Sequence, residues 1–395
     1  MSELTDTALV DEGAIPPDEF WDAIDRTREV AAHALVVPDD LMERLRAATS
    51  DLLIPEEDLL AAATGLIAGN LILQGPPGTG KSALAAALAR AFDARTLQAT
   101  AREDWTAFDV IGGQELAVDD DNNEVLAPSH GWFTEAAIDC AGVVSRNLDD
   151  ADQHPQQATW LIIDELNRAN MDRAFGELFT VLGTEDPVQF RLKYIAGDPV
   201  MLTTSRRFRI IGTLNSIDKQ FVNSLSLAIR RRFTFVTLDI PPRRLQGEAW
   251  STPPETASLA VRELGVILTR AADSAGRAIG TVDQQQLRQP LESVLTELEH
   301  VRYAAESSDY PFLPVGTAPL IDMTRLAILR GSMDPGATLS EAFDWACAAK
   351  IAPLFETDLD SPEKLRSFAE LLRPTFPQFA RELARIEAAG LYAVP

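Results

Sequence analysis

The run Gly75-Pro76-Pro77-Gly78-Thr79-Gly80-Lys81-Ser82 has the residue types and spacing of a cradle for phosphate groups. Glycines at 75, 78 and 80 admit φ values closed to other residues, so successive N–H groups can turn inward onto phosphate oxygens. Lys81 would then reach the β- and γ-phosphates, and the Ser82 hydroxyl would ligate Mg²⁺. A second group is Asp164-Glu165, which follows the apolar run Trp160-Leu161-Ile162-Ile163. One carboxylate at the end of a buried strand can hold Mg²⁺ through water, and its neighbour can act as general base toward an attacking water. Asn215 ends another apolar run, Ile210-Ile211-Gly212-Thr213-Leu214. A neutral amide there can orient the water or touch the γ-phosphate, although asparagine also ends strands simply as a turn residue. Arg230-Arg231-Arg232 precedes Phe233 with few carboxylates close in sequence, and the planar guanidinium suits phosphate and transition-state charge. These arginines stand at the far end of the segment from the glycine loop. At least one is therefore expected to serve the nucleotide of a neighbouring subunit.

Such groups need a scaffold that brings strand ends together. Leu71 to Gln74 predicts a strand entering the glycine loop, and Ser82 to Ala89 a helix leaving it. Further strands are predicted at 95–100, 160–165, 209–215 and 233–238, with helices between them at 55–68, 131–138 and 174–182. Apolar runs without alternation point to strands covered on both faces, hence to a parallel sheet in an α/β layered unit. Gln114–Val118 and Glu124–Ala127 flank an Asp/Asn-rich turn at Asp119–Asn123 and read as a hairpin. Val188–Leu192 and Val200–Thr203 read as another about Gly197-Asp198-Pro199. Pro241-Pro242 closes the unit, and residues 243–395 are helical in pattern, with helices at 257–277, 284–305, 319–330, 339–352, 362–372 and 377–388. Residues 1–50 read as an acidic leader with amphipathic helices opening near Pro16-Pro17 and Val37-Pro38. The expected division is 1–50, 51–242 and 243–395.

The 395 residues carry a formal charge of −25, and residues 1–60 hold sixteen acids against four arginines and no lysine. Such a surface repels duplex DNA and anionic membranes, and no dedicated nucleic-acid-binding domain is visible, including ahead of the glycine loop. No apolar run approaches the ~20 residues that cross a bilayer. The acidic start is unlike a signal peptide, and Cys140 and Cys347 are widely spaced, so a cytoplasmic location is expected.

GPPGTGKS, WLIIDELNRAN, IIGTLNSID and AIRRRF, in this order, resemble the AAA+ ATPases of the MoxR, dynein-related and McrB branches over roughly residues 50–240. The resemblance implies a P-loop fold with a parallel sheet of order 5-1-4-3-2, an all-α lid and a hexameric ring. It casts Gly75–Ser82, with Pro76, Pro77 and Thr79, as Walker A, Asp164 and Glu165 as Walker B, and Asn215 as sensor 1. Arg232 matches the arginine-finger position of this branch, with Arg231 as companion. The two hairpins resemble its helix-2 insert and pre-sensor-1 insert. Val315-Gly316-Thr317-Ala318-Pro319 resembles the lid segment that carries sensor 2, where Arg325 is the nearest arginine. Leu214-Asn215-Ser216-Ile217-Asp218 keeps the Asn and Asp of the McrB signature but not its Met, which leaves ATP or GTP open. Trp105 and Phe108 fall where ring ATPases carry pore loops, and either grip a substrate or pack against the hairpin. The resemblance implies Mg-ATP hydrolysis coupled to remodelling of a partner protein, in the manner of a MoxR-like chaperone. The alternatives are a GTP-driven motor subunit of a restriction or phage-defence complex and a slow nucleotide-dependent scaffold. A von Willebrand-type protein or a nuclease encoded nearby is the expected partner.

Overall fold

The structure, a computed structural model, describes residues 18–118, 124–183, 186–195, 199–215, 226–303, 314–334, 336–356 and 362–393. The expected turns at Asp119–Asn123 and Gly197-Asp198, the helix start at Pro16-Pro17 and the signature residues Ser216 to Asp218 lie outside them.

Five strands form one parallel sheet: β1 (Asn70–Gly75), β2 (Ala94–Thr100), β5 (Ala158–Asp164), β8 (Ile210–Asn215) and β9 (Phe233–Thr237). Their order is β2-β5-β8-β1-β9. Counted along the chain as five sheet strands, this is the order 5-1-4-3-2. β5 and β8 are buried along nearly their whole length, because helices cover both faces of a parallel sheet's centre. Helix α3 (Glu56–Ala68) lies on β1 and β9, α4 (Lys81–Ala91) on β1, β2, β5 and β8, and α6 (Trp132–Asp149) on β5 and β2. The run of alanines in α4 serves this position: Leu84, Ala85, Ala87, Leu88 and Ala89 are fully buried, and small side chains let the helix approach the sheet closely. Helices α1 (Asp18–Glu29) and α2 (Leu41–Ala48) do not stand apart from this unit, since Ile24, Leu41 and Leu45 join the same apolar cluster as the sheet.

Both expected hairpins are present. β3 (Gly112–Val118) pairs antiparallel with β4 (Glu124–His130), and β6 (Gln189–Leu192) with β7 (Val200–Thr203). The segment before β3 contains a short helix, α5 (Ala107–Val110), where the sequence reads as loop. Thr106 accepts from the Phe108 amide and Asp109 accepts from the Thr106 amide, a local cap that periodicity does not register. Trp105 is buried against Phe175, with ring centroids 6.5 Å apart, so it is a core residue and does not face a pore. Phe108 is exposed and covers Gly113 at the base of the hairpin. The helix expected over 174–182 is instead α7 (Met171–Phe175) followed by a 3₁₀ turn at Gly176–Thr180, glycine being a poor helix residue. A one-turn element, α8 (Leu227–Arg230), leads into β9.

The remaining helices are α9 (Leu259–Ile279), α10 (Gln284–Arg302), α11 (Thr317–Met333), α12 (Leu339–Lys350), α13 (Pro362–Leu372) and α14 (Pro377–Ala393). They bury an apolar cluster of their own that runs from Leu264 to Ile386. Inside it Arg302 and Glu263 form a buried ion pair. Burial alone would lower the Arg302 pKa, but the adjacent Glu263 carboxylate more than offsets it and holds the guanidinium charged.

Candidate active site

Because the five strands run parallel, their C-terminal ends meet at one edge of the sheet. Gly75 at the end of β1 is in register with Asn215 at the end of β8, and Thr100 of β2 is in register with Asp164 of β5. A cleft of ≈ 360 Å³ opens at this edge, lined by Pro77 to Ser82, Asp164, Glu165, Thr213 and Asn215. Five of the residues singled out in the sequence, Lys81, Ser82, Asp164, Glu165 and Asn215, therefore converge.

The loop has the conformation that its glycines allow. Gly75, Gly78 and Gly80 take φ of 151°, 80° and 86°, and Gly80 caps α4 in the left-handed region. At Gly75 a side chain would run into the Leu238 carbonyl. Lys81 is folded back onto the loop, donating from Nζ to the Pro76 carbonyl at 2.7 Å and the Gly75 carbonyl at 3.0 Å. Burial lowers its pKa to about 8, against a smaller opposing pull from Asp164 and Glu165. Among the described residues this buried cation rests on two carbonyls with no carboxylate in direct contact, a place that a phosphate group would fill.

Ser82 Oγ donates to Asp164 Oδ1 at 2.9 Å, and the Thr213 hydroxyl donates to the same carboxylate oxygen. Thr213 Oγ1 in turn accepts from the Glu165 amide at 3.1 Å. Two hard oxygen donors side by side fit Mg²⁺, which takes few protein ligands and fills its remaining positions with water and phosphate oxygens. Among the described residues there is no cluster of three or more His, Cys, Asp or Glu side chains able to hold a metal by themselves. Glu165 sits at φ 53°, ψ 43°, uncommon for a residue with a side chain, and its Oε2 is 2.6 Å from Arg168 Nε.

The far wall of the cleft comes from the helical region. Thr317, Ala318 and Ile321 of α11 and Val266 and Arg270 of α9 line it, together with Leu52 and Leu53. The Ala318 amide donates to the Gly78 carbonyl at 3.4 Å, so the 315–319 segment does lie against the glycine loop. Arg325 is exposed and does not line the cleft. The arginine that does is Arg270, paired with Asp51, which also lines the cleft. Nothing in its sequence context marks Arg270, because only the packing of α9 brings it there.

Arg231 and Arg232 lie elsewhere. They precede Phe233, whose partner in β1 is Asn70, at the N-terminal edge of the sheet. A six-residue strand separates them from the glycine loop by roughly 17 Å or more. Arg232 donates to the Phe179 carbonyl and, at 2.6 Å, to the Ala228 carbonyl, with its guanidinium 5.3 Å from the Phe179 ring centre. Arg231 is exposed and has no side-chain partner among the described residues. Both line a second cleft, of ≈ 510 Å³, with Arg206 and Arg209.

Residues 70–233 match the AAA domain family, dynein-related subfamily. The chain is 29% identical over 201 residues to the Type IV methyl-directed restriction enzyme EcoKMcrB subunit of Escherichia coli strain K12, covering 49% of this chain and 41% of that one. It is 34% identical over 102 residues to the Type II restriction enzyme BsuMI component YdiS of Bacillus subtilis strain 168, covering 23% of this chain and 29% of that one. The matches thus span less than half the length of these curated relatives. No helix among the described residues is long and apolar enough to cross a membrane.

Proposed function

Taking as premise that this chain is a nucleotide hydrolase carrying an AAA+ module of the dynein-related, McrB-like branch, we propose that it is the motor subunit of a multi-component restriction or defence assembly. The convergence of Lys81, Ser82, Asp164, Glu165 and Asn215 on one cleft supports the hydrolytic half of this reading. The phosphates lie in the 75–82 loop, where Lys81 leaves its two carbonyls to meet them. Ser82 and Asp164 would hold Mg²⁺, which would supply neutralisation of the phosphate charge. Glu165 accepts a proton from the attacking water, and Asn215 orients that water. Arg231 and Arg232, too distant to act on their own cleft, complete a neighbour's in a ring of copies. The two relatives are a restriction subunit and a restriction component, which favours this role over chaperone-type remodelling of a partner protein. On this reading a separately encoded nuclease handles the DNA, and the strongly acidic surface of the present chain does not.

Steady-state hydrolysis of ATP and GTP, each in competition with the other, tests the chemistry and assigns the base. Glu165→Gln is expected to bind nucleotide, assemble and fail to turn over, and wild-type turnover in that variant removes Glu165 from the base role. Loss of activity in Arg232→Ala that is restored by mixing with Lys81→Ala supports action across an interface, and no restoration under demonstrated co-assembly refutes it. Copurification of a nuclease whose cleavage requires the hydrolysable triphosphate supports the restriction role. Nucleotide-dependent remodelling of a non-nuclease partner overturns it.

A further inference from the structure

Glu165 is held more tightly than a residue at the end of a strand needs to be. Its amide is tied through Thr213 to β8 and to Asp164. The chain then enters a 3₁₀ turn, Leu166–Arg168, in which the Arg168 amide donates to the Glu165 carbonyl at 2.9 Å. Leu166 anchors this turn, being fully buried with its side chain seated on Gly212 of β8. The backbone hydrogen bond between residues three apart closes the turn and brings Arg168 back beside Glu165. The result is the 2.6 Å contact between Arg168 Nε and Glu165 Oε2. Glu165 lines the nucleotide cleft and Arg168 does not. Oε2 is therefore engaged by a side chain that does not line the cleft, and Oε1 is the oxygen that Arg168 does not hold.

We propose that Arg168 is a positioning residue for the hydrolytic base, fixing the Glu165 carboxylate so that Oε1 meets the attacking water. This rests on the reading of Glu165 as that base. In the step concerned, the water oxygen forms a bond to the γ-phosphorus while the bond from that phosphorus to the bridging oxygen breaks. The diphosphate leaves with the electron pair, and the water proton passes to Glu165 Oε1. A glutamate side chain free about three bonds spends little time in line, and displacement of about 1 Å can cost roughly 100-fold in rate. Fold stability is a weak explanation for the pair, since exposed ion pairs at this spacing contribute little and Arg168 is 58% exposed.

The test compares wild type, Arg168→Ala, Arg168→Lys and Glu165→Gln by single-turnover hydrolysis, equilibrium nucleotide binding and thermal melting. Arg168→Ala is expected to lose roughly 10- to 100-fold in the hydrolytic rate, with nucleotide affinity within about twofold of wild type and an unchanged melting midpoint. Arg168→Lys is expected to recover part of the rate, because an ammonium group restores the charge but not the fixed fork. A rate in Arg168→Ala equal to or above wild type, beside an inactive Glu165→Gln, overturns the positioning role and leaves the base intact. Full turnover in Glu165→Gln instead overturns the base reading and the positioning role with it.

Discussion

Lys81 shows how a single side chain can make binding depend on pH. Burial lowers its pKa to about 8 in the free protein, and a phosphate beside it would return the pKa toward or above the ordinary lysine value. Between those two pKa values the bound state holds a proton that the free state has lost, so binding takes up a proton there. Nucleotide affinity is expected to be flat below pH 8 and to fall by up to about tenfold per pH unit above it. Calorimetric titration at pH 8.5 in buffers of differing ionisation enthalpy measures that uptake directly, and a value of zero refutes the account. Lys81→Ala should remove both the uptake and most of the affinity. The residues of this cleft that were legible in the sequence sit in contiguous strings, because a phosphate loop and a strand-end carboxylate pair each draw their geometry from neighbours in the chain. Arg270, Thr213 and the tie from Arg168 to Glu165 were not legible as parts of the site, because each depends on packing that brings separate backbone segments together.

At the scale of elements, the seam between α11 and the glycine loop joins the helical region to the cleft. Gly316 fits there because a Cβ would lie 2.5 Å from the Pro77 carbonyl oxygen. Gly316→Ala is expected to push α11 off the loop and weaken nucleotide binding by roughly tenfold, a loss of ~1.4 kcal/mol, read by equilibrium titration. Behind the seam, Glu263 accepts from Arg302 at 2.5 Å and from the Thr317 hydroxyl at 2.5 Å, while Arg302 Nε donates to the Val315 carbonyl at 3.2 Å. The buried pair thus holds Val315 and Thr317, the residues on either side of Gly316. Glu263→Ala leaves Arg302 buried without its counter-charge and should cost about 3–5 kcal/mol in denaturant unfolding. Replacing both residues by methionine should cost less than Glu263→Ala alone, and the reverse order refutes the desolvation argument. Most elements were readable from apolar runs and their breaks, including all five sheet strands. The 3₁₀ turn after α7 and the four-residue α5 were not, because a single capped turn has no periodicity to detect. The hairpins were readable as elements, but only their register shows how Phe108 covers Gly113 while Trp105 enters the core.

For the whole molecule, the sheet puts the cleft of the glycine loop at one edge and Arg231 and Arg232 at the other, so that on the proposed reading a single copy holds two halves of different sites. Each copy carries a formal charge of −25, and bringing copies together sets like charges against one another at low salt. Two electrostatic terms then oppose each other. Screening weakens the general repulsion, whose charges are spread over the surface, and acts less on an arginine buried beside a neighbour's phosphate. Turnover per subunit is therefore expected to rise with protein concentration, and the concentration giving half-maximal turnover should fall as salt is raised from about 20 to about 150 mM, where the Debye length shortens to ≈ 8 Å. Arg231→Ala separates assembly from catalysis. Its side chain is exposed and has no partner among the described residues, so truncation leaves the fold intact. The variant should assemble at the same concentration by light scattering, yet show turnover that no longer climbs with assembly. Turnover independent of concentration in wild type, across a range where assembly is seen to change, would place the whole reaction within one copy and end the trans role of the arginines.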